Sequence, residues 1–372
     1  MLTWIELKAD SLKHNIRAFA ALVDKEKLAF VLKSNAYGHG IKEIYEALMS
    51  ENPAWLAVNY VEEGTTLRSL GFKGRLLVVG PFVPSELSTA AANKLEMLVG
   101  HPEGISAWLS STTKPDLHIE FDTGMGRQGF NPTEADNIAT CLAGDKQLIR
   151  GVCMHFANVE DVTEFEYANL QLQRFDVALK AFTSRGFNVI AHAASSAAAL
   201  ILEGSRFDLM RVGISTYGFW PSQATKISYK QLHGTVLDLK PVLSWKTKIT
   251  STSDVAAGQY IGYGCTYKAR RPMRIAVLPV GYYEGYPRIA SGSEAYVLIH
   301  GERCPIVGRI CMNMMMVDIS DIKDKANVED TATMIGGDGQ EYIAAADVAG
   351  WAKTIHYELV TRLHPAIKRI LI

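Results

Sequence analysis

Between about residue 27 and residue 212 the chain alternates short apolar runs with amphipathic segments, roughly eight times over. The apolar runs are Leu28–Leu32, Trp55–Val58, Arg75–Val79, Leu95–Val99, Leu117–Phe121, Gly151–Met154, Asn188–Ala191 and Asp208–Arg211. Most are continuous rather than alternating, as strands buried on both faces are. The segments between them carry helix signals. Pro84-Ser85-Glu86-Leu87 opens one, and Glu166–Ser184 sets Leu170, Phe175, Leu179 and Phe182 at helical spacing. Repeated β-then-α units predict an α/β fold, here a (β/α)₈ barrel of TIM type. A doubly wound open sheet satisfies the same alternation.

The pattern changes after about residue 234. Leu243–Thr250, Met273–Leu278, Ala295–His300 and Met314–Ile319 are short, apolar and β-branched, with turns such as Ala257-Gly258 and His300-Gly301-Glu302 between them. A helix is expected at Ala344–Thr354. The division is therefore a barrel over residues 1–234 and a mostly-β C-terminal domain over 235–372, with Gly218–Gly234 as linker.

Composition removes several function classes. A net charge of −1 gives no electrostatic footing for nucleic acid or an anionic membrane. No apolar run reaches membrane-spanning length, and Met1–Glu6 has no secretory-signal pattern. The five cysteines are scattered without metal-ligand spacing, which predicts no metal site and fits a reducing, cytoplasmic setting.

In a (β/α)₈ barrel, chemistry sits where the strands end. The first run ends in Lys33 and Tyr37, and the fifth in Asp122-Thr123-Gly124-Met125-Gly126-Arg127-Gln128-Gly129-Phe130. The sixth ends in His155, the seventh leads to His192 and Ser195-Ser196, and the eighth ends in Arg211-Val212-Gly213-Ile214. Each has an ordinary structural role open to it. Arg127 could be a loop arginine, His155 a core histidine, and Ser196 the N-cap of the apolar run it opens. Those roles do not explain why titratable and anion-binding groups converge on one rim. A lysine closing a buried strand adds to this, because desolvation lowers an amine's pKa and so suits it to covalent catalysis.

The Lys33-Ser34-Asn35-Ala36-Tyr37-Gly38-His39-Gly40 block resembles the cofactor-lysine motif of the alanine racemases. The blocks at Asp122–Phe130, His155-Phe156-Ala157, Arg211–Tyr217, Gly262-Tyr263-Gly264, Gly281-Tyr282 and Gly308-Arg309-Ile310-Cys311-Met312 follow in that family's order, across the whole chain. The resemblance implies a pyridoxal 5′-phosphate (PLP) enzyme that interconverts L- and D-alanine, supplies D-alanine for peptidoglycan and works as a homodimer with shared active sites. It also implies that the strand Thr3–Leu7 joins the C-terminal domain. Lys33 would hold PLP and act as one base, with Tyr263 of the partner subunit as the other. A phenol serves as a base near neutrality only where its surroundings favour the phenolate. His155 and Arg211 would tune it. Arg211 would face the pyridine nitrogen. Tyr37, Ser196, Gly213 and Ile214 would hold the phosphate. Arg127 and Met312 would bind the substrate carboxylate, and Tyr282 would line the entrance.

The chain departs from the common family pattern in four places. Glu120 replaces a lysine that is often carbamylated, and as an anion it is expected to orient Arg127 directly. Ser195 replaces an asparagine, and Asn313 an aspartate near the substrate entrance. A C-terminal tyrosine has no evident counterpart, His364-Pro365-Ala366 occupying its region. Asn313 keeps open a broader range that takes in serine or basic amino acids. A barrel-type PLP decarboxylase is disfavoured by Arg211, and a single-barrel PLP carrier by Tyr263 and Met312.

Overall fold

The computed structural model describes residues 1–160 and 164–372. The chain divides into two units. One holds Asp10–Ala36 and Ile44–Lys240; the other holds Met1–Ala9, Tyr37–Glu43 and Pro241–Ile372. The first strand, β1 (Thr3–Leu7), belongs to the second of these.

The first unit is the barrel that the alternation predicts. Its strands are β2 (Leu28–Val31), β3 (Trp55–Val58), β4 (Arg75–Val78), β5 (Glu96–Val99), β6 (Asp116–Glu120), β7 (Ile149–Cys153), β8 (Ile190–His192) and β9 (Met210–Val212). They pair in parallel in the order β8-β7-β6-β5-β4-β3-β2-β9. The ladder is open only between β8 and β9. The Asp208 N–H donates to the Ala191 carbonyl at 3.0 Å, and the Asp208 carboxylate accepts from the Ala191 N–H at 2.8 Å. A side chain thus does at this seam what a strand does elsewhere, which is why Asp208 lies outside β9 although it opens the apolar run. The open-sheet alternative is thereby set aside.

The expected linker Gly218–Gly234 contains a helix, Gln223–His233. Ser222 caps it by accepting from the Thr225 N–H, and Gly234 ends it at φ +71°, a left-handed geometry that glycine adopts without strain. Its Tyr229 packs on Trp220 with ring centroids 5.5 Å apart. The helix is polar over most of its surface, so its sequence reads as a loop. Asn15 then ties the chain down: its amide donates to the Thr216 and Lys240 carbonyls and its oxygen accepts from the Lys240 N–H at 2.8 Å.

The second unit is mostly β. Its strands continue as β10 (Leu243–Lys248), β11 (Ser251–Val255), β12 (Tyr260–Ile261), β13 (Tyr267–Lys268), β14 (Met273–Leu278) and β15 (Tyr296–Ile299). They end with β16 (Glu302–Val307), β17 (Met315–Asp318), β18 (Thr331–Asp338), β19 (Glu341–Ile343) and β20 (Lys368–Leu371). The main sheet runs β11-β14-β17-β16-β15-β18-β10-β1-β20, with β19 on β18. β1 lies antiparallel to β10 and parallel to β20, so the two ends of the chain share one sheet.

Candidate active site

Lys33 follows β2 after a single residue, Leu32. Ser34, Asn35 and Ala36 take φ of 56°, 54° and 53°, and Tyr37 takes 53°. Four consecutive non-glycine residues in the left-handed region cost about 1–2 kcal/mol each. The Glu63 carboxylate holds this turn. Its Oε1 accepts from the Ser34 N–H at 2.6 Å, and its Oε2 from the Asn59 N–H at 2.8 Å. Burial lowers the Lys33 pKa, and the charges of Arg127 and Arg211 lower it further, against the pull of Glu63. The site thus favours a neutral amine.

Arg211 on β9 is the hub of the rim. Nη1 donates to His192 Nδ1 at 2.5 Å and to the His192 carbonyl at 3.2 Å. Nη2 donates to the Met154 carbonyl at 2.9 Å, the Ala193 carbonyl at 3.2 Å and His155 Nδ1 at 3.3 Å. Nε has no hydrogen bond among the described residues. All of these acceptors are neutral. Burial, helped by Arg211, Arg127 and Lys33, pushes His155 down to about 3, and His192 is likewise held well below its ordinary value. Burial lowers the Arg211 pKa, Glu120 pulls it back through charge, no carboxylate is among its hydrogen-bond acceptors, and one donor stays available.

Ser196 is the first residue of the helix Ser196–Ile201 rather than its cap; Ser195 takes the N-cap position. The Ser196 hydroxyl instead accepts from the Gly213 N–H at 3.0 Å and the Ser215 N–H at 3.5 Å. This brings Ser196 together with the turn Ile214–Tyr217, which starts after Gly213.

The Asp122–Phe130 loop is closed on itself. The Phe130 N–H donates to the Glu120 carbonyl and the Asp122 N–H to the Phe130 carbonyl, both at 2.9 Å. Burial opposes the charge of Asp122, but N–H groups of Gly124, Met125 and Gly126 on its carboxylate hold its pKa down. Arg127 is exposed at the tip. The buried Glu120 accepts from Gln128 Nε2 at 2.5 Å. That corrects the expectation for Glu120: its hydrogen bond goes to Gln128, and burial raises its pKa against the pull of Gln128, Arg211 and Arg127.

In the second unit Tyr263 sits between Gly262 and Gly264 and is 70% exposed. Met312 is 55% exposed and Tyr282 43%. The strips around the last two are knitted together. The Tyr282 N–H donates to the Cys311 carbonyl at 3.1 Å and the Tyr283 N–H to the Met312 carbonyl at 2.9 Å. Gly281 allows this approach, since a Cβ there would lie 2.2 Å from the Cys311 carbonyl oxygen. Tyr37 also belongs to this unit, its ring 6.4 Å from that of Tyr357.

The N-terminal domain of alanine racemase matches residues 7–221 and the C-terminal domain matches residues 242–371. The chain belongs to the alanine racemase family. The racemase of Leptospira interrogans is 36% identical, with 100% of this chain and 96% of that one covered. That of Symbiobacterium thermophilum is 35% identical over 99% of this chain and 96% of its own. Among solved structures, the alanine racemase of Streptomyces lavendulae superposes with a TM-score of 0.91 at 29% identity, covering 100% of this chain and 97% of that one. The alanine racemase of Bacillus anthracis with bound L-Ala-P gives 0.89 at 31%, covering 100% and 95%. The chain is thus an amino-acid racemase.

One of its departures from the family pattern now has a physical reason. Asn313 Nδ2 donates to Glu284 Oε1 at 2.9 Å, while Glu284 Oε2 accepts from the Gly281 N–H. An aspartate at 313 would set two carboxylates together in this loop. Tyr357, on the helix His356–Thr361, lies beside Tyr37. Sequence reading missed Tyr357, Glu284 and Glu63. Only Glu63 carried a signal, as an acidic residue in the first turn of the helix Val61–Ser69, where it accepts from the Tyr60 N–H. Among the described residues no group of three or more His, Cys, Asp or Glu could hold a metal, and no helix is long and apolar enough to cross a membrane.

Proposed function

We propose that this racemase interconverts L- and D-alanine with PLP, using Lys33 and Tyr263 of the partner subunit as its two bases. The observation that carries this reading is the pairing of a cation held by neutral acceptors, Arg211, with a lysine whose amine is driven toward neutrality, Lys33.

The donor set fits PLP. Lys33 offers an amine whose pKa burial lowers, Arg211 Nε an available donor for the pyridine nitrogen, and Gly213, Ile214 and Ser196 a cluster of N–H and hydroxyl groups for a phosphate, with Tyr37 as a further hydroxyl. When bound, PLP supplies the electron sink that acidifies the Cα proton.

The remaining steps belong to side chains. Inversion needs a base on each face of Cα, because the proton leaves on one side and another arrives on the other. Lys33 would accept the proton from one enantiomer, and Tyr263 of the partner subunit would deliver one, with the roles exchanged in reverse. Arg211 cannot accept a proton, so it withholds the charge relay that a carboxylate would give the ring. That favours return of the proton to Cα over transamination or decarboxylation. Arg127 and the Met312 backbone would bind the substrate carboxylate, and Tyr282 would line the approach. His155, kept neutral, would orient the second base without competing for its proton. The product would feed peptidoglycan synthesis in the cytoplasm.

The test is L-alanine with PLP-loaded enzyme in deuterated buffer, following optical rotation and the Cα proton signal together. L-serine, L-lysine and L-arginine run in parallel. Joint loss of both signals, with alanine fastest, is expected. A faster larger amino acid would replace the substrate assignment and point to the Asn313–Glu284 pair. Exchange without loss of rotation would remove Tyr263 as second base. Sedimentation of a fully active monomer would overturn the shared site.

A further inference from the structure

A continuous polar path runs through the barrel interior and ends on Arg211. Arg75 opens β4 and grips Glu96, the first residue of β5, through Nε at 2.6 Å and Nη2 at 2.7 Å. Glu96 Oε2 lies 2.8 Å from His118 Nε2 on β6. His118 Nδ1 lies 2.8 Å from His192 Nε2 at the end of β8. His192 Nδ1 meets Arg211 Nη1 at 2.5 Å. Both imidazoles are fully buried.

Only one proton arrangement satisfies every link with neutral imidazoles. Arginine donates and never accepts, so His192 Nδ1 must be the bare nitrogen and its proton must sit on Nε2. That proton goes to His118 Nδ1, which is therefore also bare. The His118 proton sits on Nε2 and goes to the Glu96 carboxylate. Burial, with Arg75 and Arg211, lowers the pKa of both rings, against the pull of Glu96 on His118. Burial also opposes the Glu96 charge, but the bonds from His118 and Arg75 hold its pKa down to about 2. Arg75 is itself fixed, its guanidinium carbon 3.9 Å from the Trp55 ring centroid.

We infer that Glu96 is a positioning residue for Arg211, acting through His118 and His192 by fixing the tautomer of both rings. Without an obligate acceptor at Glu96 the two rings can exchange tautomers together. His192 would then present Nδ1–H to Arg211 Nη1, donor against donor. The device keeps a lone pair on Arg211 while keeping the carboxylate far from it, so the cation is oriented without being neutralised. The consequence for racemisation rests on the role proposed above for Arg211; the tautomer pattern does not.

The test has two arms. In the wild-type protein, nitrogen NMR of ¹⁵N-histidine-labelled enzyme without cofactor should show His118 and His192 neutral, with bare Nδ1 and protonated Nε2, from pH 6 to 9. Either ring charged, or protonated at Nδ1, would overturn the inference whether or not the protein racemises alanine. The second arm is Glu96→Gln. Its amide can face His118 with oxygen only by turning its NH₂ toward the donors of Arg75, and otherwise reverses the relay. The expected result is kcat lower by about tenfold to a hundredfold, as for other lost outer-shell partners, with KM for alanine little changed. The histidine nitrogen signals should change with it, and Glu96→Asp should recover part of both. A folded Glu96→Gln enzyme with kcat within about twofold of wild type would overturn the inference. So would a loss of kcat with unchanged histidine signals, which would mark a merely structural role.

Discussion

The barrel rim and the Gly262–Gly264 turn place their reactive groups by opposite means. At the rim, Arg211 makes five hydrogen bonds and Lys33 leads into a strained turn clamped by Glu63. In the turn, Tyr263 stands 70% exposed between two glycines. A group that must hold a charge away from water needs surrounding dipoles, and those come from the fold that buries it. A group that serves a site outside its own unit can stay exposed until it is covered. In this reading the barrel is preorganised within one chain, whereas Tyr263 is positioned only on assembly.

The sharpest way to break that comparison is at its reactive ends. On the proposed mechanism Lys33→Ala should lower racemisation by at least about 10⁴-fold, since it would remove both the cofactor anchor and a base. Retained turnover in Lys33→Ala would end the assignment. Tyr263→Phe should cost about 10²–10⁴-fold in interconversion while exchange of the Cα proton persists for one enantiomer. Its melting temperature should not move, because an exposed side chain contributes little to folding. A large thermal shift, measured on protein dilute enough to be monomeric, would mean that Tyr263 is already packed in the single chain.

Glu63→Ala separates the regions by stability. It strips the acceptor from the left-handed turn, and the loss is expected at about 2–4 kcal/mol, read by denaturant unfolding. Activity should fall with it. Unchanged stability would show that the turn is held by something other than Glu63.

Acid should act on the barrel through the same buried groups. The Glu96 pKa lies near 2, below its ordinary 4.5. Its stabilising contribution is therefore complete above about pH 5 and is lost as the pH falls toward 2, roughly 3 kcal/mol in all. His118 and His192 add to this, since their pKa values are lowered on folding and the unfolded chain takes up protons they refuse. The melting temperature should start to drop below about pH 6.5 and fall further below about pH 4.5. A flat profile from pH 7 to 4 would contradict the buried network. Asn313→Asp is the smallest expected effect. It places a carboxylate beside Glu284, costs under about 1 kcal/mol at this exposed site, and shows most at neutral pH, where both are charged.

Legibility in the sequence followed the range of each signal. The eight barrel strands were readable because continuous apolar runs are local. The rim residues were readable because strand ends follow from strands. His118 was hidden in plain view, as a polar residue between Leu117 and Ile119 in a run that a closed barrel turns inward. The helix Gln223–His233 was not legible because it lacks an apolar stripe wide enough to show against a loop.

By itself, the sequence determined the alternation that makes a barrel, the chemistry at its strand ends and membership of the alanine racemase family. The tertiary structure alone decided which distant groups meet. β1 pairs with strands some 240 and 365 residues away, as Ile5 with Trp245 and Arg369 shows. Arg211 meets a carboxylate only through two histidines carried on other strands. Periodicity and turn chemistry act over a few residues, so they write elements into the sequence. Contacts that depend on closing a sheet exist only once the chain has folded, and the charges buried there take their pKa values from that closure.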